Sequence, residues 1–165
     1  MEDKRYMTMT NFLILTLNIL IAVGIIASVA IIVFALPDSR LDGSSNLKLI
    51  VNAVLFLTGT GSLILILFNL RHILKTVIKV TPFTMENVKY LRHIASYCFV
   101  ITVCYLINFF YNNQIKYFSF ITIDSKGIHT DMEFVIFFFA GLFVLILAQV
   151  YKQAVEVKEE NDFTV

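Results

Sequence analysis

The run LILTLNILIAVGIIASVAIIVFAL, residues 13–36, decides the class of this protein. It contains no Asp, Glu, Lys or Arg, and it is apolar on every side, unlike the alternating strands of a membrane β-barrel. An α-helix crosses a hydrocarbon core of about 30 Å with roughly 20 apolar residues. Lys4 and Arg5 ahead of the run would suit a signal peptide, but signal-peptide apolar cores hold only about 7–15 residues. The run therefore reads as a retained first span.

Outward from it, the charged residues leave three more apolar windows, so that spans are expected at about 11–36, 49–70, 93–112 and 133–151. The composition agrees. Hydrophobic residues make up 58% of the 165 residues, the mean hydropathy is +0.81, and charged residues are 15%. Soluble domains carry about 25% charged residues. The expected fold is all-α and integral to the membrane, a four-transmembrane-helix bundle forming a single domain over 1–165. A central loop, 71–92, and a tail, 152–165, are its polar parts.

Lys and Arg then orient the chain. Nine of the thirteen lie before the first span, between the second and third, or after the fourth. The positive-inside rule places that side, with both termini, in the cytoplasm. The opposite connections are PDSRLDGSSN, residues 37–46, where Pro37 and the Asp-Gly-Ser-Ser run mark a loop, and a longer segment, residues 112–132. Within the latter, YFSFITI, residues 117–123, is β-branched and aromatic and precedes the turn-like DSKG, which predicts an extended piece on the headgroup layer.

Two stripes predict which faces meet. On the second span Asn52, Leu55, Gly59, Ser62, Ile66 and Asn69 recur at spacings of three and four; on the third, Tyr97, Ile101, Cys104, Asn108 and Tyr111 do the same. Hydrocarbon cannot satisfy an amide, and small residues let backbones approach, so both stripes are expected at helix contacts. Gly24, Ser28, Gly141 and Ala148 extend the pattern more weakly, and Asn18 and Gln149 are further candidates for interhelical hydrogen bonds.

Chemistry is sparse. No Asp, Glu, Lys or Arg interrupts a span, as a proton relay or ion path would require. Cys98 and Cys104 are six apart with no metal-ligand spacing, and there is no His-Glu-x-x-His, phosphate loop or Gly-x-Ser-x-Gly. The expectation is a non-enzymatic protein with no catalytic residues, cofactor or metal. A net charge of +1 argues against direct nucleic-acid binding.

The central connection carries more signal. In TPFTMENVKYLRHI, residues 81–94, Thr84 is a helix N-cap, with Glu86 in the first turn, Asn87 at the third position, and Phe83 placed to staple against Val88. Pro82 stops the preceding helix. Lys89 and Arg92 are basic, whereas Glu156, Glu159, Glu160 and Asp162 make the tail acidic, so the tail could dock on its own loop or on a partner.

TPFTMENVKYLRHIA and EVKEENDFTV together resemble the two recurring motifs of the bacterial four-span membrane family called domain of unknown function 2975, over essentially the whole chain. Phe163 stands where that pattern has leucine. The resemblance implies a multi-pass protein of the plasma membrane of a Gram-positive-like bacterium. It also implies a small cytoplasmic helix-turn-helix regulator of the Xre type, often encoded alongside, as a partner. Combined with the residue reading, the expected role is a regulatory or sensory membrane partner of such a regulator. A small transporter or an immunity protein against a membrane-active peptide is the alternative. The candidate partner-binding residues are Pro82, Phe83, Glu86, Asn87, Lys89, Arg92, Glu160, Asp162, Phe163 and Val165.

Overall fold

Four helices dominate the computed structural model, which describes residues 2–41, 46–78, 83–112, 122–124, 127–129 and 132–163. They are α1 (Glu2–Leu41), α2 (Asn46–Ile78), α3 (Met85–Tyr111) and α4 (Glu133–Phe163). Each is long and apolar enough to cross a membrane, as the four apolar windows predict, and the protein is a multi-pass membrane protein. Hydroxyls inside the spans bond back to the carbonyl four residues earlier, as Ser28 does to Gly24 at 2.6 Å and Ser62 to Thr58 at 2.8 Å. This satisfies them where no water is available.

The helices outrun the spans. α2 continues from Leu70 through Ile78 and α3 begins at Met85, so most of the expected central loop is helical. The 152–165 tail is helical through Phe163. Charge marks where hydrocarbon ends, but backbone hydrogen bonding does not stop there. At the other end α1 runs through Pro37 to Leu41, where a loop is expected. The ring holds φ near about −65°, itself a helical value, so α1 continues past Pro37 at the cost of one backbone hydrogen bond and crowding against the carbonyl four residues earlier. Part of the expected extended segment is present as a small antiparallel hairpin, β1 (Thr122–Asp124) with β2 (Gly127–His129), in which Ile123 faces Ile128. Residues 117–121 lie outside the described ones.

Packing follows chain order. Among the described residues α1 packs on α2, α2 on α3, and α3 on α4, with no close approach between α1 and α4. The four-helix bundle is therefore open between its first and last members. The α2–α3 pair is antiparallel and in step along its length. Thr76 meets Asn87, His72 meets Tyr90, and Asn52 meets Asn112. α3 has the largest buried face, with Val88, Ile94, Ala95, Cys98 and Ile101 on it, whereas α1 leaves Phe12 and Ile26 about two-thirds exposed. In a bilayer that exposure is contact with lipid, which rewards apolar surface as the protein interior does.

The glycines divide by packing. A Cβ on Gly141 would lie 3.1 Å from the Phe99 ring and 3.2 Å from Cys98 Cβ, so α3 and α4 touch at closest range there. At Gly24 the nearest atom, on Ile64, is 3.7 Å away, an ordinary contact. At Gly59, a member of the second-span stripe, a Cβ would meet nothing within 4 Å.

Candidate functional site

Two regions combine polar chemistry with defined shape. The first is at the end of the molecule that holds the termini and the α2–α3 connection. Thr84 caps α3 with extended backbone (φ −138°, ψ 148°), and the Asn87 N–H reaches its hydroxyl at 3.4 Å and its carbonyl at 3.1 Å. The cap fixes the direction in which α3 leaves the connection. Asn87 then turns inward: it is 0% exposed, and its side-chain amide donates to Thr76 Oγ1 of α2 at 2.6 Å. Thr76 in turn donates to the Ile73 carbonyl at 2.7 Å. Expected at a partner surface, Asn87 instead braces two helices, because its amide finds its acceptor in the neighbouring helix rather than in solvent.

Aromatic rings complete this end. His72 stacks on Tyr90 with centroids 5.2 Å apart, and the Tyr90 hydroxyl donates to Glu86 at 2.8 Å. Phe83 stacks on Tyr151 of α4 at 5.4 Å, an interaction more distant in sequence than the expected staple with Val88. One turn beyond Tyr151, Val155 is only 1% exposed, and Val88 is 3% exposed. Thus α2, α3 and α4 remain packed beyond their predicted spans. Lys89, Arg92, Glu160 and Asp162 are on the exposed surface of this end. Lys152 pairs with Glu156 along α4 at 3.1 Å. Pro82 and Val165 lie outside the described residues, as does the side chain of Phe163.

The second region is a cavity of about 290 Å³ at the opposite end, between α2, α3 and α4. Asn52, Gly59 and Thr60 of α2, Cys104 and Asn108 of α3, and Phe137 of α4 are among its lining residues. The two predicted stripes do face one another here, but around a space. The Asn112 amide, at the C-cap of α3, donates to Asn108 Oδ1 at 2.7 Å and to Asn52 Oδ1 at 3.3 Å. Thr60 is already committed to the Phe56 carbonyl at 2.8 Å. Tyr105 stacks on Phe137 at 6.1 Å and forms part of the wall.

Sequence periodicity identified the facing stripes but not the gap between them, which depends on how α4 fills or leaves the groove. Asn69, on the same stripe, is 8% exposed and bonds to the Leu65 carbonyl of its own helix at 2.7 Å, where an interhelical bond is expected. Among the described residues no group of three His, Cys, Asp or Glu side chains is placed to hold a metal.

A family model described as "Protein of unknown function (DUF2975)" matches residues 2–165. No curated protein and no solved structure matches the chain.

Proposed function

The chain belongs to the DUF2975 family, and we propose that it is a non-enzymatic protein of a bacterial plasma membrane that acts as a regulatory or sensory partner of a small helix-turn-helix transcription regulator. Both termini are cytoplasmic in this reading, in keeping with the nine Lys and Arg on their side. The observation that carries it is the packed end of α2, α3 and α4. A loop and a fraying tail would make a poor docking face, whereas capped helices tied by Asn87 to Thr76 and by Phe83 to Tyr151 hold their exposed charges in place. Lys89 and Arg92 give that face a basic part and Glu159 and Asp162 an acidic one, which suits a partner with both signs of charge.

The test is co-purification of the full chain with a small helix-turn-helix regulator of the Xre type, compared with a chain ending after Lys158. Reduced recovery with the shortened chain is expected; equal recovery would remove the acidic end from the interface, and no recovery with either would end the regulator reading. A small transporter, or an immunity protein against a membrane-active peptide, would draw on the cavity instead. Solute flux in proteoliposomes, or altered susceptibility on deletion, distinguishes those roles.

A further inference from the structure

The cavity between α2, α3 and α4 has a shape and a polarity of its own. The stretch of α2 from Asn52 to Leu63 that lines it rises about 16 Å, close to half of a hydrocarbon core of about 30 Å. It thus occupies one leaflet, with Asn52 and Asn108 towards the helix ends and Leu63 towards the middle of the membrane. Leu55, Phe56, Ile101 and Phe137 make apolar walls, and the absent side chain of Gly59 leaves room between them.

The polar end is half-open, with Asn52 exposed and Asn108 half-buried. Asn112 serves the carbonyl oxygens of Asn52 and Asn108, but among the described residues neither Asn52 Nδ2 nor Asn108 Nδ2 has an acceptor. Acyl chains offer none, whereas an ester or hydroxyl oxygen does. Among the described residues no Asp, Glu, Lys or Arg lines the cavity, and a full charge on a ligand would find no partner among them.

We infer that this cavity is a binding site for a single-chain, uncharged membrane amphiphile of the monoacylglycerol type, whose head oxygens accept from the Asn52 and Asn108 amides and whose chain runs past Gly59 towards Leu63. The site is at the end of the spans remote from the proposed regulator face, and its occupancy does not depend on that partner.

The probe is a 1-monoacylglycerol with a mid-chain diazirine, added to the full chain in phosphatidylcholine nanodiscs, irradiated, and mapped by peptide mass spectrometry. Adducts should concentrate on the less exposed cavity residues Leu55, Phe56 and Ile101 rather than on lipid-facing Phe12 and Ile26, and unlabelled monoacylglycerol should displace them. Replacing both amides (Asn52→Ala with Asn108→Ala) should lower cavity labelling about tenfold, the value of two lost hydrogen bonds. Gly59→Leu fills the groove from a position where a Cβ meets nothing, so it should retain helicity by circular dichroism while losing the adducts. Adducts spread evenly over the lipid-facing surface, labelling unchanged in Gly59→Leu, or equal displacement by phosphatidylglycerol would overturn the assignment.

Discussion

Replacing Gly141 and Gly59 by alanine, one at a time, should shift stability in opposite directions although both glycines lie within transmembrane helices. At Gly141 the new methyl would sit 3.1 to 3.2 Å from Phe99 and Cys98 Cβ, closer than the 3.4 Å at which ordinary contact begins. The Phe99 ring can rotate, but Cys98 Cβ is attached directly to the α3 backbone, so α3 and α4 must separate slightly. Overpacking of this kind costs about 1–3 kcal/mol. Alanine's helix preference over glycine offsets at most about 0.8–1.0 kcal/mol, and less than that here, because membrane spans remain helical when they separate. The net expectation for Gly141→Ala is a destabilisation of about 1–2 kcal/mol, a factor of roughly 5–30 in the folding equilibrium. At Gly59 the methyl enters open space, so only the small gain remains, and Gly59→Ala should be neutral or stabilising by up to about 1 kcal/mol. The assay is equilibrium unfolding in mixed micelles titrated with dodecyl sulfate, followed by the near-ultraviolet circular dichroism of the packed Tyr and Phe rings, which reports helix separation where helicity does not. Equal shifts for the two variants, or a stabilised Gly141→Ala, would refute the close approach of α3 and α4 at that position.

Two further outcomes concern the end that carries the termini. Thr76→Val leaves the buried Asn87 amide without its 2.6 Å acceptor and should cost about 1–3 kcal/mol, and combining it with Asn87→Leu in a double-mutant cycle should reveal coupling of about 1 kcal/mol; additive losses would contradict the bond. Phe83→Ala and Tyr151→Ala should each destabilise the protein and couple by about 0.5–1.5 kcal/mol in the same unfolding assay, whereas an uncoupled pair would mean that the rings do not support one another in solution.

Much of the architecture was legible before any coordinates, because the bilayer imposes a length on apolar runs and four windows satisfied it. The Thr84 cap was legible for a similar reason: an orphan N–H at a helix start needs a nearby oxygen, and threonine in that position supplies one. What sequence could not give was relative depth. Whether Gly59 or Gly141 marks a close approach depends on the atoms opposite, and these lie on another helix. Asn87 and Asn108 look alike as polar residues on α3, yet one is sealed against Thr76 and the other borders a cavity. The extension of α2 and α4 beyond their apolar windows leaves no mark in the hydropathy, because Lys, Arg and Glu are good helix formers once water is available to solvate them.

The succession of helix contacts, each with the neighbour in chain order, has a consequence for assembly. As the chain enters the membrane, α2 can settle on α1, then α3 on α2, then α4 on α3, and no step must wait for a distant segment to arrive. Loop closure is therefore needed only over the connections between neighbours, the longest from Asn112 to Met132, and never across an intervening helix, which keeps its entropic cost low. A chain interrupted after α3 would already hold every contact that α1, α2 and α3 make with one another in the finished protein.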